Sequence, residues 1–305
     1  MKPRTATREQ PVVIGLGEAL WDLLPAGPQL GGAPANFAYH AHALGARAQV
    51  ITRVGDDDYG REIIRRFESM GLDVGAVELD DAAPTGTVTV ALSGNGIPEY
   101  TIHEKVAWDR IAATPVALAA VRAADAVCFG SLAQRSAASR DAIQSLLAAT
   151  PPDALRIFDI NLRQHFYGRE IIERSLQLAN VVKLNDSELP VLAQMFGLDG
   201  LLRQQIESLA RDFHLRVVAL TRGAEGSLLF QSGRWSEQPA GQVEVQDTVG
   251  AGDAFTAALC LGLLRGMDLD VMHAAASRIA AYVCGCVGAT PDLPEPLRQQ
   301  FVNWC

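Results

Sequence analysis

The sequence predicts an α/β fold with a mostly parallel central sheet covered by helices and a small antiparallel β lid. Short apolar runs of strand length recur along the chain, and segments long enough for a helix separate most of them. Strands that are apolar throughout are typical of a parallel sheet buried on both faces, and helical connections let successive strands run parallel. We therefore predict one α/β domain over residues 1–305.

The strands of the central sheet are predicted from runs of Val, Ile, Leu and Phe. The first run covers 12–16 and stops at Gly17. The later runs cover 126–129, 156–160, 181–184 and 217–220. Two helices are predicted at 36–44 and 59–70, and each ends just before a glycine, as helices commonly do.

The lid is predicted from a stretch with the alternation of a β-strand. Residues 85–90 read Thr-Gly-Thr-Val-Thr-Val, residues 93–96 have the composition of a turn, and 99–102 form a second short strand. This pattern predicts an antiparallel hairpin with one apolar face. An ordinary surface hairpin explains the same pattern nearly as well.

The composition excludes several classes of protein. The chain has 305 residues and a formal net charge of −9, which argues against a surface for nucleic acid or for an anionic membrane. Lysine occurs only as Lys2, Lys105 and Lys183, and none follows a glycine, so there is no Walker A loop. The H-R-D and D-F-G tripeptides of protein kinases are missing too. We expect a cytoplasmic protein, because the first residues are polar and no apolar run reaches about 18 residues.

Three other features are interpreted as structural. The Gly15-x-Gly17 pattern after the first strand invites comparison with a dinucleotide-binding loop, but the sixth position is Leu20 rather than a small residue. The five cysteines lack the spacing of a metal site, so buried thiols are expected. His40 and His42 lie in an alanine-rich helix, and no histidine is assigned to catalysis.

A loop of small residues near the C-terminus predicts an anion site. Residues 247–255 read Asp-Thr-Val-Gly-Ala-Gly-Asp-Ala-Phe and lead into an apolar helix. Gly250, Ala251 and Gly252 leave their backbone N–H groups accessible, and the helix N-terminus adds a favourable dipole. Asp253, beside this loop, is placed to act as the base for a hydroxyl that attacks a phosphate. The competing interpretation is that Asp253 only caps the helix.

Two further motifs follow predicted strands. Asp159, Asn161 and Arg163 are spaced by two, so they share one face if their strand continues. Open α/β sheets bind ligands at this edge, although a surface salt bridge would use the same residue types. Asn185 and Glu188 lie three positions apart at the start of a helix, where such a pair also forms an ordinary capping box.

A third motif, Thr221-x-Gly223-x-x-Gly226, ends another strand and precedes a further run at 227–230. Close approach of the backbone to a nucleotide requires such glycines. A hairpin turn requires them equally, so the residues alone leave both interpretations open.

Together these motifs resemble the ribokinase-like carbohydrate kinases of the PfkB family, and they occur in that family's order. The family's N-terminal sugar-binding motif is similar to Gly31-Gly32-Ala33-Pro34-Ala35-Asn36. The anion loop and the three later motifs complete a resemblance that spans nearly the whole chain. Segments 17–22 and 129–135 are most similar to bacterial fructokinases.

The resemblance implies an ATP-dependent sugar kinase. We expect transfer of the γ-phosphate of ATP to the primary hydroxyl of a ketohexose, with fructokinase the first expectation. A 2-keto-3-deoxygluconate kinase is the alternative, because Tyr100, Arg135 and Arg163 offer groups for the carboxylate of that substrate. A sugar-binding regulator without catalysis is a further alternative, but the base and the anion loop that it would have lost are both intact.

The resemblance also implies roles for individual residues. Asp253 is the expected base, beside an anion hole made by Gly250, Ala251 and Gly252. The sugar is expected to contact Asp22, Gly31, Gly32, Asn36 and Arg163. ATP is expected beside a helix at about 271–287, in contact with Asn161, Asn185, Thr221, Gly223 and Gly226. Mg²⁺ is expected to be held through water by Asn185 and Glu188, and a monovalent cation such as K⁺ by Asp247 and the carbonyl of Val249. The resemblance implies that the small sheet, formed by about 18–28 and 74–105 and joined by a strand at about 21–24, closes over the sugar as a lid and forms a homodimer interface.

Overall fold

The computed structural model of the protein describes residues 10–25, 27–92 and 98–302. Its strands are, in chain order, β1 (Val12–Leu16), β2 (Leu20–Leu24), β3 (Gly27–Gly31), β4 (Arg47–Gly55), β5 (Val77–Asp80), β6 (Gly86–Leu92), β7 (Pro98–Ile102), β8 (Ala126–Phe129), β9 (Leu155–Asp159), β10 (Val181–Asn185), β11 (Val217–Thr221), β12 (Ser227–Gln231) and β13 (Arg234–Gln238). Its helices are α1 (Ala33–Ala43), α2 (Asp58–Ser69), α3 (Pro115–Ala123), α4 (Ala137–Ala148), α5 (Arg169–Leu178), α6 (Glu188–Phe196), α7 (Leu202–Asp212), α8 (Ala251–Leu264), α9 (Leu269–Cys284) and α10 (Glu295–Val302).

A nine-stranded sheet in the order β13-β12-β11-β10-β9-β8-β1-β4-β5 forms the centre of the protein. The strands from β11 to β5 in this order run parallel, and β12 and β13 continue the sheet in antiparallel fashion at one edge. The predicted α/β class is therefore confirmed. Because the strands are parallel, the loops after their carboxyl ends converge on one edge of the sheet.

The sheet is buried on both faces. Alternate residues of β1 point to opposite sides, so Ile14 and Leu16 join one apolar cluster and Val13 joins the other. Residues of α3 to α7 cover the first side, and residues of α1, α8 and α9 cover the second. This sandwich explains why the predicted strands are apolar throughout instead of alternating.

A second, smaller sheet has the order β3-β2-β6-β7. It consists of two antiparallel hairpins, β2–β3 and β6–β7, which meet through a parallel pairing of β2 with β6. The predicted hairpin is thus present, but its predicted turn at 93–96 lies outside the described residues. Strand β5, inside the 74–105 range, pairs with β4 at the edge of the large sheet instead.

The predicted helices are present with shifted ends. The helix predicted at 36–44 begins earlier, because α1 starts at Ala33 with a proline in its first turn, where the missing N–H costs nothing. The helix predicted at about 271–287 ends at Cys284. The Cys284 carbonyl accepts hydrogen bonds from the N–H groups of Gln246 and Asp247, which brings that loop against the helix end.

The cysteines only partly follow the expectation of buried thiols. Cys128 and Cys260 are buried, whereas Cys284 and Cys286 are partly exposed. Cys305 lies outside the described residues. Within the described ranges, no helix has both the length and the apolar character needed to cross a bilayer.

Candidate active site

The anion loop is held in place by a close backbone contact. Gly250 precedes α8 and has a left-handed φ of 78°. A Cβ at this position would lie 2.3 Å from the carbonyl oxygen of Ala289, so a side chain does not fit without movement. His40 of α1 donates from Nε2 to the same oxygen at 2.9 Å, and burial lowers the His40 pKa to about 4, so the ring is neutral. The loop, the Ala289 segment and α1 therefore form one packed unit.

Asp253 lies inside the first turn of α8 and does not cap it. Gly250 holds the N-cap position, and no side chain there accepts a capping hydrogen bond. The interpretation of Asp253 as a simple helix cap is therefore wrong. Its carboxylate instead accepts a hydrogen bond from Asn36 Nδ2 of α1 at 2.8 Å.

The surroundings of Asp253 suit a base that works near neutral pH. Burial raises its pKa to about 6, and the negative charge of Asp159 adds to this effect. The Asn36 hydrogen bond and the charges of Lys183 and Arg163 oppose it. The residue as a whole is partly exposed. A carboxylate of this strength is mostly ionised at pH 7 and accepts a proton more readily than an ordinary aspartate.

A buried ion pair lies beside the anion loop. Lys183 Nζ of β10 lies 3.1 Å from Asp159 Oδ1, and Thr256 of α8 donates to Asp159 Oδ2 at 2.9 Å. Burial alone would lower the Lys183 pKa, but the neighbouring carboxylates, Asp159 first, hold it above its usual value. A Cβ on Gly252 would lie 2.9 Å from Lys183 Nζ, so the ammonium adjoins the loop. The sequence reasoning missed Lys183, although a single lysine inside an apolar strand was a usable signal.

Among the residues expected to contact the sugar, two glycines allow close packing of the backbone. Asp22 lies on β2, and a Cβ on Gly31 of the adjacent β3 would lie 2.6 Å from its Oδ2 atom. A Cβ on Gly32 would lie 2.4 Å from the carbonyl oxygen of Glu18. Burial raises the pKa of Asp22, and Arg163 opposes this shift. The glycine pair thus lets β3 and the start of α1 pack closely around the Asp22 carboxylate.

Glu18 is a second residue that the sequence reasoning missed. It lies between β1 and β2, is only 3% exposed, and its Oε2 atom has no hydrogen-bond partner. Burial raises its pKa to about 7; the charge of Arg163 opposes this, and that of Asp253 adds to it. An acidic residue in a connection between two buried strands was the signal that pointed to it.

The loop after β9 departs from the predicted strand. Strand β9 ends at Asp159, and Asn161 has a left-handed φ of 45°. The condition under which Asp159, Asn161 and Arg163 would share one face, a continuing strand, is therefore not met. Asp159 is buried in its ion pair, whereas Arg163 is exposed. The surface salt bridge considered for this motif is also wrong for Asp159. Gln164 Nε2 donates to the Tyr100 carbonyl of β7 at 2.6 Å, which ties this loop to the small sheet.

The positive charge of Arg163 acts on carboxylates near the expected sugar site and also on Asp253 beside the anion loop. Its positive charge favours the ionised forms of Glu18, Asp22 and Asp253. Its guanidinium donates a local hydrogen bond from Nη1 to the carbonyl of the adjacent Leu162 at 3.3 Å. The structure therefore brings together three carboxylates and one exposed guanidinium around the start of α1.

Asn185 and Glu188 form the capping box that the sequence allowed. Asn185 Oδ1 accepts the N–H of Glu188 at 3.0 Å, and Glu188 Oε2 accepts the N–H of Asn185 at 2.8 Å. Glu188 Oε1 also accepts the N–H of Leu162 at 2.9 Å, which ties the loop after β9 to α6. Burial raises the pKa of Glu188, and Lys183 opposes this shift. A structural role for this pair is thus present, and it leaves a metal role open.

The residues expected at ATP lie further along the same edge. Thr221 pairs with Asn185 in the β10–β11 register, and the following loop is a hairpin turn between β11 and β12. Gly226 packs against the Gln238 carbonyl, where a Cβ would lie 2.1 Å from the oxygen. Gly223 has a φ of 51° but no atom within 4 Å of the position of a Cβ, so its outer side is open. The hairpin interpretation explains Gly226, and the open side of Gly223 leaves room for a ligand.

The side chain of Asp247, at the start of the anion loop, accepts two backbone hydrogen bonds. Its Oδ1 atom accepts the N–H of Val249 at 3.0 Å, and its Oδ2 atom accepts the N–H of Gly288 at 3.2 Å. The hydrogen bonds of Asp247 thus connect the two backbone segments that flank Gly250.

Comparison with known proteins decides the family. The sequence profile of the pfkB family carbohydrate kinases matches residues 28–296. The chain belongs to this family. A fructokinase of Klebsiella pneumoniae is 32% identical to this PfkB protein over 287 residues, which cover 90% of the chain and 92% of that protein. An aminoimidazole riboside kinase of Salmonella typhimurium is 29% identical over 297 residues, which cover 92% and 91%.

Solved structures of sugar kinases have the same fold. A sugar kinase from Pyrococcus horikoshii in complex with ATP superimposes with a TM-score of 0.78 at 27% identity and covers 92% of this chain and 94% of that one. A fructokinase with bound ATP from Xylella fastidiosa gives a TM-score of 0.84 at 22% identity, with 93% and 95% covered. Both resemblances extend over nearly the full length, so the large and small sheets belong to one shared architecture.

Proposed function

We propose that this PfkB-family carbohydrate kinase is a fructokinase that converts D-fructose and ATP to fructose 6-phosphate and ADP. The observation that carries the proposal is the position of Asp253, a carboxylate with a pKa near 6, bonded to Asn36 and adjacent to the anion loop. The choice of sugar draws support from relatives named fructokinase in Klebsiella pneumoniae and Escherichia coli, at 32% and 30% identity.

Phosphoryl transfer follows from this geometry. The primary hydroxyl of the sugar gives its proton to Asp253 as its oxygen forms a bond to the γ-phosphorus. The bond from that phosphorus to the ADP oxygen breaks at the same time. The N–H groups of Gly250, Ala251 and Gly252 stabilise charge on the transferred phosphoryl group, and the ammonium of Lys183 adds to their effect. Asp253 then returns the proton to solvent.

The residues present fit Mg²⁺ held through water. Among the described residues, no group of three or more His, Cys, Asp and Glu side chains is arranged to hold a metal. Each oxygen of the Glu188 carboxylate accepts one backbone N–H, which leaves a lone pair on each for water. Mg²⁺ keeps several waters and uses few protein ligands when it accompanies phosphates, where it supplies charge neutralisation. Asn185 and Glu188 would therefore orient its water shell.

ATP is proposed to lie along the edge from the anion loop to the β11–β12 turn. The open outer side of Gly223 supports this placement, together with Asn161, Asn185, Thr221 and Gly226. A relative solved with ATP and Mg²⁺, a putative ribokinase of Escherichia coli, shares the fold. For K⁺ we propose Asp247 and the carbonyl of Val249, because these groups already border the anion loop.

The position of Arg135 favours a neutral sugar over 2-keto-3-deoxygluconate. Its guanidinium donates to both oxygens of Asp109 at 2.7 and 2.9 Å, and to the His103 carbonyl at 2.6 Å. It also stacks between the rings of Trp108 and Phe166. Turning this guanidinium toward a substrate carboxylate would break an ion pair. Among the described residues, its Nη1 atom lacks a partner but is buried. Arg163 and the exposed Tyr100 remain available, and a carboxylate substrate would have to rely on them.

The small sheet is proposed to close over the sugar as a lid. The contact from Gln164 to the Tyr100 carbonyl supports this role, because it links β7 to the loop that carries Arg163. Closure excludes water, which would otherwise compete with the sugar for the phosphate. We also propose that the outer face of this sheet forms a homodimer interface, which the molar mass from light scattering would test.

An ADP-release assay with ATP and Mg²⁺ tests the proposed function. The substrates are D-fructose, 2-keto-3-deoxygluconate, ribose, tagatose and a set of nucleosides, and we expect the highest kcat/KM for D-fructose. If another substrate gives a higher kcat/KM, that substrate replaces D-fructose in the proposal. Asp253→Asn should lower kcat by about 10² or more with the melting temperature nearly unchanged. Retention of most of the wild-type kcat in this variant would show that Asp253 is not the base.

A further inference from the structure

Glu18 occupies a position that neither the sequence motifs nor the proposed transfer step explains. It follows β1 at the carboxyl edge of the large sheet and precedes β2 of the small sheet, so it joins the two. Its side chain is buried, and its Oε2 atom lacks a hydrogen-bond partner. A buried carboxylate that leaves one oxygen unpartnered costs more free energy than a buried carboxylic acid, so burial favours the protonated form.

The carboxyl of Glu18 faces the start of α1. The N–H of Ala33, the first residue of α1, lies close enough to favour the ionised carboxylate. Helix α1 has no side-chain cap of its own and no acidic residue in its first turn. The backbone of Glu18 also packs against Gly32, whose absent Cβ would lie 2.4 Å from the Glu18 carbonyl oxygen. Glu18 therefore supports the segment that presents the glycine pair and Asn36.

Arg163 acts on Glu18 through its charge. In the part of the chain that the structure describes, no ion pair joins the two side chains. The charge of Asp253 acts in the other direction and favours the proton on Glu18. An ionised Glu18 would compete with the substrate for the guanidinium of Arg163, because opposite charges in a poorly solvated site attract strongly.

We propose that Glu18 is a positioning residue: its buried side chain supports Gly32 and the start of α1, and in its protonated form it leaves Arg163 free for the substrate. The proposal rests on the proposed sugar kinase function. It concerns a residue that acts through Arg163 and Asn36 and does not touch the reacting atoms. Besides Arg163 and Asp253, the charged groups of this region are Asp22 on β2, Lys183 on β10 and Asp159 on β9.

Thermal melting as a function of pH tests the charge state without any sugar. The folded pKa of Glu18 is raised from 4.5 to about 7, so the folded protein binds the proton more tightly than the unfolded chain. The stabilisation from this proton is complete below pH 4.5 and is lost as the pH rises to about 7. Glu18→Gln has no such loss. The melting temperature of this variant minus that of the wild type should therefore increase by several degrees between about pH 5 and about pH 8.

The control for melting is Asp125→Asn, which changes a buried carboxylate at the opposite edge of the sheet. Asp125 Oδ2 accepts the N–H of Val12 at 2.8 Å, so the loss of this hydrogen bond should lower the melting temperature. If the difference in melting temperature between Glu18→Gln and the wild type is the same at every pH, Glu18 does not hold a proton in the folded protein. The proposal is then overturned.

Kinetics separate positioning from a merely structural role. Glu18→Gln keeps a neutral, polar group of the same shape and should keep kcat/KM for D-fructose close to the wild type at pH 7. Glu18→Leu fills the same space without hydrogen bonding and should lower kcat/KM by about tenfold or more while melting no lower than the wild type. Equal kcat/KM in the two variants overturns the proposal. If the wild type phosphorylates another sugar, that sugar replaces D-fructose in this comparison, and the melting result stands independently.

Discussion

Replacing Asn36 with alanine tests whether Asp253 works as a base. Asn36 Nδ2 donates to the Asp253 carboxylate at 2.8 Å and so favours its ionised form. A hydrogen bond to a charged group contributes about 1.5–3 kcal/mol, and one pKa unit corresponds to about 1.36 kcal/mol. Loss of the bond should therefore raise the Asp253 pKa from about 6 to about 7–8.

The expected result is a loss of kcat that depends on pH. At pH 7 the ionised fraction of Asp253 should fall from about nine-tenths to between about one-half and about one-tenth. The kcat at saturating sugar and ATP should fall by about two- to tenfold at this pH. It should recover toward the wild-type value at about pH 9, because Asp253 is then ionised again. ADP release measured from about pH 5 to about pH 9 gives the profile.

Asn180→Ala is the matched control. Asn180 is also a buried asparagine, but it bonds the backbone of Ala154 and Arg156 at the opposite edge of the sheet. It should lower the melting temperature and leave the pH midpoint of kcat unchanged. A kcat loss in Asn36→Ala that is the same at every pH would refute the reasoning, since Asn36 would then act only on the sugar or on stability.

Two further substitutions test the proposed sugar site and the proposed Mg²⁺ site separately. Asp22→Ala should lower kcat/KM for the sugar by about 10² or more, because two hydroxyl hydrogen bonds to a carboxylate contribute about 1.5–3 kcal/mol each, whereas the ATP Kd should hardly change. Equal weakening of ATP binding contradicts the assignment of Asp22. Glu188→Gln should raise the Mg²⁺ concentration for half-maximal activity more than the sugar KM, because it disturbs the water shell of the ion. An unchanged Mg²⁺ titration leaves Glu188 with its capping role alone.

Much of the large sheet could be predicted because its central strands are apolar on both faces. The bounds of β1 and β8 match the predicted runs, and those of β10 and β11 differ by one residue. Strand β4 was not predicted, because Arg47–Gly55 mixes polar and apolar residues although most of its residues are buried. Local patterning cannot reveal such a strand, since its pairing with β1 is what places it.

The site was predictable where its chemistry is local in the sequence. The anion loop and Asp253 lie within a few residues of each other, and their spacing alone indicates their use. The Asn36–Asp253 hydrogen bond joins residues 217 positions apart, so no local pattern contains it. Lys183 and Glu18 acquire their importance from neighbours on other strands, and the left-handed turn at Asn161 interrupts a spacing that an extended strand would have kept.

The shared carbonyl of Ala289 has a consequence for dynamics. Gly250 packs against this oxygen from the anion loop, and His40 bonds it from α1. Opening the loop therefore disturbs the helix that carries Asn36, and a ligand that orders the loop also raises the free energy of opening α1. Amide hydrogen exchange in α1 should slow when nucleotide binds, although the nucleotide itself is placed at the loop. Nucleotide binding at the anion loop would then stabilise α1, which carries Asn36 of the expected sugar site, before the sugar binds.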